Sequence, residues 1–369
     1  MMQTELLAQG EQLMRICNSC RYCEGFCAVW RAMEYRREFP AGDLNYLANL
    51  CHDCSECYYA CQYAPPHEWN INPPLTFARI RARSYEQYAW PKALASAFRV
   101  NGLVVALTSV LAIMALMFGV VQMQGGSALS KAVPGGDFYQ ITSHGFLVTV
   151  FGIVALFSAL ALVIGLLRFC RDIGEKVSDL FTPATLALAV KETLQLEYLD
   201  GGGWGCAYPG EESSPVRRWF HHFTFYGFLL SFASTSVAAI YDYVFHWPAP
   251  YSYTSLPVLL GMLGGLGLLI GPVGLLVLKQ GRNWDITDEE QGGMDVAFLV
   301  LLILTSASGL LLLALRETAA MGALLVVHLG IVMGLFLTIP YGKFVHGIYR
   351  FVAIAKFALE RKRKRVLGA

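Results

Sequence analysis

The chain has 369 residues, 55% of them hydrophobic and only 15% charged, with a formal net charge of +1. That balance excludes a soluble globular enzyme and points to a polytopic membrane protein. The near-neutral charge and the lack of any basic RNA or DNA motif exclude a nucleic-acid partner.

The first 15 residues, MMQTELLAQGEQLMR, hold no apolar targeting stretch. Eight of the ten cysteines follow in two copies of one spacing, Cys17-x-x-Cys20-x-x-Cys23-x-x-x-Cys27 and Cys51-x-x-Cys54-x-x-Cys57-x-x-x-Cys61. Three thiolates delivered by one short loop suit three corners of an iron–sulfur cube, and the fourth cysteine of such a run usually ligates the other cluster. The spacing therefore predicts two [4Fe–4S] clusters, one on Cys17, Cys20, Cys23 and Cys61, the other on Cys51, Cys54, Cys57 and Cys27. Zinc sites and disulfides explain the repeated spacing less well. Two departures stand out: Ala28 and Gln62, rather than proline, follow the fourth cysteines. Between the runs, AVWRAMEYRRE and DLNYLANL have helical apolar spacing, with Asp43 as N-cap of the second. This region resembles the helical ferredoxin module of succinate and fumarate reductase iron–sulfur subunits and of heterodisulfide reductases. Thiols used this way belong in a reducing compartment, so residues 1–90 are expected to form a cytoplasmic, helical two-cluster ferredoxin domain.

A basic, aromatic stretch, ARIRARSYEQYAWPKALASAFR, leads into the remainder, 91–369, which reads as a six-helix membrane domain. The spans fall at about 100–121, 144–169, 219–241, 256–278, 294–315 and 321–345, each about as long as a bilayer crossing requires. With the N-terminus inside, the inner loops hold Arg171, Lys176, Lys191, Arg217, Arg218, Lys279 and Arg282, and RKRKR at 361–365 closes the chain. The outer loops keep Lys131 and Arg316. The positive-inside rule then places both termini in the cytoplasm of a multi-pass bacterial inner-membrane protein, the basic tail serving as a topology anchor or a contact to lipid of the bilayer.

The cytoplasmic loop 170–218 carries Gly201, Gly202, Gly203 and Gly205 beside Cys206. The strand and helix that a dinucleotide site needs are missing, so the loop is read as a docking surface. Loop 279–293, with Asp285, Asp288, Glu289 and Glu290, is read as a solvated acidic loop. The glycines of the fourth span, Gly261 to Gly271, are read as helix packing.

Five histidines lie in or at the ends of spans, where ionisable groups are costly and functional by default. His328 and His346 are eighteen residues apart (346 minus 328), five helical turns or about 27 Å, which predicts one shared helix face if Pro340 does not rotate it. His144 and His328 stand toward the outer side, His222 and His346 toward the inner. These positions fit two bis-histidine sites for haem b, with His221 as the alternative to His222. Lys343, Arg217, Arg218 and Arg350 stand at the inner edge, within reach of haem propionates or anionic lipid.

Over nearly its whole length the chain resembles the tricarballylate/citrate-utilisation protein B family, on the twin cysteine runs, LEYLDGGGWGCAYPGEESSPVRRWFHHFTFYGF, WPAPY, GMD at 293–295 and PYGKFVHGIYR. The last segment also resembles the haem-bearing end of respiratory nitrate reductase membrane subunits, where its histidine, here His346, is a ligand. The resemblance implies a partner, a soluble FAD-dependent tricarballylate dehydrogenase whose reduced flavin this protein reoxidises. The expectation is thus an all-α electron carrier passing electrons from flavin through clusters and haem b to quinone, with no catalytic residues of its own. The alternatives are a membrane subunit of another, heterodisulfide-reductase-like respiratory complex, and a cluster-based redox-sensing anchor or transporter.

Overall fold

A computed structural model describes residues 2–203 and 205–366; Trp204, within the glycine-rich loop, lies outside them. The described chain is helical apart from turns and one two-residue ribbon pair. The head begins with α1 (Met2–Cys20), α2 (Ala28–Glu34), α3 (Ala41–Leu50), α4 (Glu56–Tyr59) and α5 (Pro73–Tyr88). Proline opens α5 because its missing N–H costs nothing in a first turn, and the Asn72 side chain caps it by accepting from the Leu75 N–H at 3.2 Å. Asp43 is not the cap of α3. The helix starts two residues earlier, after Pro40, and Asp43 in its first turn accepts from Arg36 Nε at 2.7 Å.

Among the described residues six helices are long and apolar enough to cross a membrane. They are α6 (Asn101–Gln124), α7 (His144–Asp172), α10 (Val216–Tyr243), α11 (Leu256–Gln280), α12 (Gly292–Ala314) and α13 (Met321–Thr338). Between α7 and α10 come the short α8 (Val177–Leu180), then α9 (Pro183–Leu194), then the ribbon Cys206–Ala207 paired with Ser213–Ser214. Buried hydroxyls tie neighbouring spans together: Ser158 in α7 donates to the Phe336 carbonyl in α13 at 2.7 Å, and Ser306 in α12 to that of Gly265 in α11 at 2.6 Å. α10 and α11 lie against each other through their glycines, as the sequence suggested; a Cβ on Gly227 would sit within 3.0 Å of the α11 backbone.

The sixth apolar run does not continue to residue 345. α13 stops at Thr338, whose hydroxyl bonds back to the Gly334 carbonyl at 2.7 Å. Pro340 lies in a single turn of 3-10 helix, and Gly342 is extended. A separate helix, α14 (Val345–Val366), then returns into the head. Its apolar residues Val345, Tyr349, Val352, Ala353 and Phe357 are buried in one core with Tyr46, Tyr85, Tyr88 and Phe77. Its polar residues are bound there too: Lys356 donates to the Ile173 carbonyl at 2.6 Å and Glu360 pairs with Arg36. The core of the head is therefore built from both ends of the chain and from the head-side end of α7.

Candidate functional site: a cysteine-rich head on the end of the spans

Each cysteine run unwinds a helix. Cys17 and Cys20 sit in the last turn of α1, Cys27 caps α2, Cys51 ends α3, and Cys57 lies in α4. Arg21, Asp53 and Ser55 take left-handed backbone conformations, at φ of 56°, 58° and 65°, so each chain folds back at once and turns its thiols inward. Cys17, Cys20, Cys23, Cys57 and Cys61 line a cavity of about 270 Å³, walled also by Trp30 and Ile71. Cys20 reaches the surface and Cys54 is buried.

Burial pushes the thiols up. It does so first at Cys17, helped by Cys23, Cys61 and Cys20, and at Cys23, raised to about 12 with help from Cys61 and Cys20. In the other group it acts first at Cys27, helped by Cys54 and Cys51, and at Cys57, helped by Cys54, Cys51 and Cys27. The structure thus brings Cys17, Cys20, Cys23 and Cys61 together, and Cys27, Cys51, Cys54 and Cys57 beside them.

The expected cofactors do not follow. Among the described residues no group of three or more His, Cys, Asp or Glu side chains is set to hold a metal ion. Ligation needs thiolates converging on one point, and these cysteines do not converge so. That finding overturns the two [4Fe–4S] clusters and the haem b, and the quinone acceptor, which rested on haem as its donor, loses its footing with them.

Nor do the histidines form two matched pairs. At the far end His144 Nε2 lies 3.0 Å from Asp242 Oδ2 of α10, while His328 Nδ1 is 2.9 Å from Ser308 Oγ of α12. At the head end it is His221, rather than His222, that faces His346, with ring centroids 6.3 Å apart and planes at 77°. His222 stacks on Tyr226 at 5.7 Å beside Trp219. His328 and His346 stand on different helices, so they share no face.

Three arginines hold the second cysteine run, Arg81 and Arg350 from α5 and α14 of the head and Arg217 from the first turn of the span α10. Arg81 and Arg350 donate to the Cys51 carbonyl at 3.0 and 2.7 Å, and Arg217 donates to that of Asp53. Burial, then the neighbouring Arg81, brings the Arg350 guanidinium down to about 10. Below them Asp295 accepts from Lys279 and forms an ion pair with Lys343, each at 2.6 Å. In the 279–293 loop Asp285, Glu289 and Glu290 are solvated, as expected, but Asp288 is not and the loop is tied to the head. Asp288 is buried and accepts from Gln291 at 2.7 Å, Gln291 donates to the Ala78 carbonyl of α5, and Asn72 donates to the Asp285 carbonyl.

The glycine-rich loop docks on the head, with Gly202 against Phe26 and Ser213 donating to Glu56. It brings Cys206, to which sequence reasoning assigned no role, beside Cys54. Cys206 donates to the Leu199 carbonyl at 2.9 Å, and its pKa is lowered by the hydrogen bond with Cys54 and then by Arg217. Its place among four glycines was the available signal, since such a loop can press its backbone close against a neighbour.

Residues 96–366 match the family described as "Citrate utilization protein B", and residues 10–87 match its "Fer4-like domain". The chain is 48% identical over 366 residues to the citrate utilization protein B of Escherichia coli, covering 99% of this chain and 95% of the relative. No solved structure matches the chain. Nothing in these matches carries the second resemblance, to the haem domain of nitrate reductase membrane subunits.

Proposed function

The chain belongs to the citrate utilization protein B family, and on that premise we propose that it is a membrane redox protein that relieves a soluble dehydrogenase of its electrons. The donor is the reduced FAD of an enzyme oxidising tricarballylate or a related tricarboxylate. The receiving face is the cysteine-lined cavity of the head. The delivering side is the bundle of six apolar helices beneath it. The head stands on the cytoplasmic side of a bacterial inner membrane, where the basic residues of the head-side loops favour it.

One observation carries this reading. Eight cysteines are gathered beside a cavity that opens to solvent at Cys20, and the second run is joined to the head-side end of the span α10 by Arg217, which donates to the Asp53 carbonyl. A donor docking at the cavity reaches thiol-rich protein that continues to the membrane. Exposed Tyr22 on its rim, with Trp69 packed at a tilt against Tyr63 at 4.7 Å, offers the aromatic surface that docking favours.

The test is anaerobic. The FAD-dependent dehydrogenase is reduced with tricarballylate and mixed with proteoliposomes that contain or lack the protein and enclose ferricyanide, two ions of which take up the two electrons of each reduced flavin, and flavin absorbance is followed. Flavin should return to its oxidised form only with the protein present. Equal traces from loaded and empty vesicles would overturn the reading.

A further inference from the structure

The exposed positions of α9 are apolar but for Lys191, while two of its three buried ones are polar. Its buried positions are Thr185, Ala189 and Glu192, a single stripe at helical spacing. Glu192 accepts from Arg361 of α14, and Thr185 bonds Thr182 at 2.9 Å. Leu188, Val190 and Leu194 are left 36%, 38% and 37% exposed. A helix bathed in water is patterned the other way round.

The position of α9 says what covers that face. The Tyr226 hydroxyl of α10 donates to the Leu194 carbonyl at 2.7 Å. α10 has 28 residues, so it measures about 42 Å, roughly 12 Å more than a hydrocarbon core of about 30 Å. Arg217 and Arg218 in its first turn put the surplus at the head end, where Arg218 binds the Gln195 carbonyl at 2.8 Å and Asp200 at 2.9 Å. Tyr226, about 15 Å along the axis from Val216, stands at the edge of the acyl chains. The outward side chains of α10 there, Trp219, Phe223 and Tyr226, are exposed, and the apolar face of α9 runs on from them. Lys176 and Lys191 are exposed nearby.

We propose that α9 is an interfacial helix whose Leu188–Leu194 face lies in phospholipid of the head-side leaflet, with Lys176 and Lys191 among the lipid phosphates. Because the other face of α9 rests on α14, this seat fixes the head to the plane of the bilayer. It does not depend on the electron donor.

Lipid contact is read directly by photocrosslinking. The full chain carrying Leu188→p-benzoylphenylalanine is irradiated in nanodiscs of phosphatidylcholine and phosphatidylglycerol and examined by mass spectrometry. Phe232, outward-facing in α10, is the lipid-exposed control, and Glu211, in the loop, the water-exposed one. Leu188 should give lipid adducts in yield comparable to Phe232 and several-fold above Glu211. A yield like that of Glu211, or a crosslink to another protein chain when the same variant is irradiated in cell membranes, would overturn the proposal.

Discussion

In the head, helices are held apart by rings. Tyr46, Tyr85, Tyr88, Phe77 and Phe357 are all fully buried between α3, α5 and α14. In the α10–α11 hairpin the helices touch at their backbones, and the residues between them are Gly227, Gly264, Gly267, Gly271 and Gly274. The solvent accounts for the difference. In water, a large aromatic side chain gains most by leaving the surface. In lipid that gain vanishes, and close van der Waals approach through small residues is what holds two helices together. The head is thus an ordinary aqueous core resting on a membrane-type interface, and substitutions that suit one should ruin the other.

The largest effect is expected from importing the head's solution into the hairpin. A side chain at Gly271 would strike the Thr224 backbone and hydroxyl and the Phe220 carbonyl, none of which can swing aside. Gly271→Leu should push α10 off α11 and abolish the monodisperse peak in detergent size-exclusion chromatography. Gly152→Leu in α7, where a Cβ meets nothing, should elute like the parent. The converse change removes a ring from the head. Phe357→Ala leaves a cavity beside Tyr198 and should cost about 3–5 kcal/mol, read as a drop of several degrees in the thermal unfolding of the purified protein.

The same contrast explains what could be read in advance. The all-α architecture and the six apolar helices were legible, because a run of about 20 apolar residues has few other uses. The gathering of the cysteines on the head was legible from the repeated spacing. α14 was not, because its first apolar residues continue the hydropathy of α13 without a gap. The break is carried by Pro340 and Gly342 alone, and only the spacing Val345, Tyr349, Val352, Phe357 betrays an amphipathic helix bound for a soluble core. The histidine pairs failed for a related reason. Spacing can place His328 and His346 on one face only if they share a helix, and it says nothing of Asp242 and Ser308, which engage His144 and His328. The choice between His221 and His222 turned on the direction of α14, which the sequence left hidden.

A smaller effect lies at the seam between the two regions. His52 is buried under the spans, its Nδ1 2.9 Å from the Leu50 carbonyl and its ring 5.9 Å from Tyr198. Burial, and then the charge on Arg350, holds its pKa well below the ordinary value. The unfolded chain therefore binds the extra proton first. The stabilisation is complete above about pH 6.5 and is lost as pH falls toward the folded value, by up to about 1.4 kcal/mol per unit. Unfolding temperatures measured between pH 7.5 and 5 should fall more steeply for the parent than for His52→Phe. Parallel slopes would place the acid sensitivity elsewhere.

The smallest effect, that of Arg363→Ala, is read against a large one at the other ion pair of α14. Arg36, with only 8% of its side chain exposed, meets Glu360 and Asp43 inside the head, so Arg36→Ala strands two carboxylates and should cost about 3–5 kcal/mol. Arg363 meets Glu175 at 3.0 Å and Asp179 at 3.7 Å with 49% of its side chain in solvent. There water already solvates Arg363 and Asp179, and Glu175, only 10% exposed, keeps Lys356 as a second cation at 3.9 Å, so the loss of Arg363 strands no charge. Arg363→Ala should cost no more than about 1 kcal/mol, and that small loss should shrink further in high salt. If instead it matched Arg36→Ala, the basic end of α14 would be a structural part of the head, and the head's hold on the membrane domain would depend on surface charge as well as on its rings.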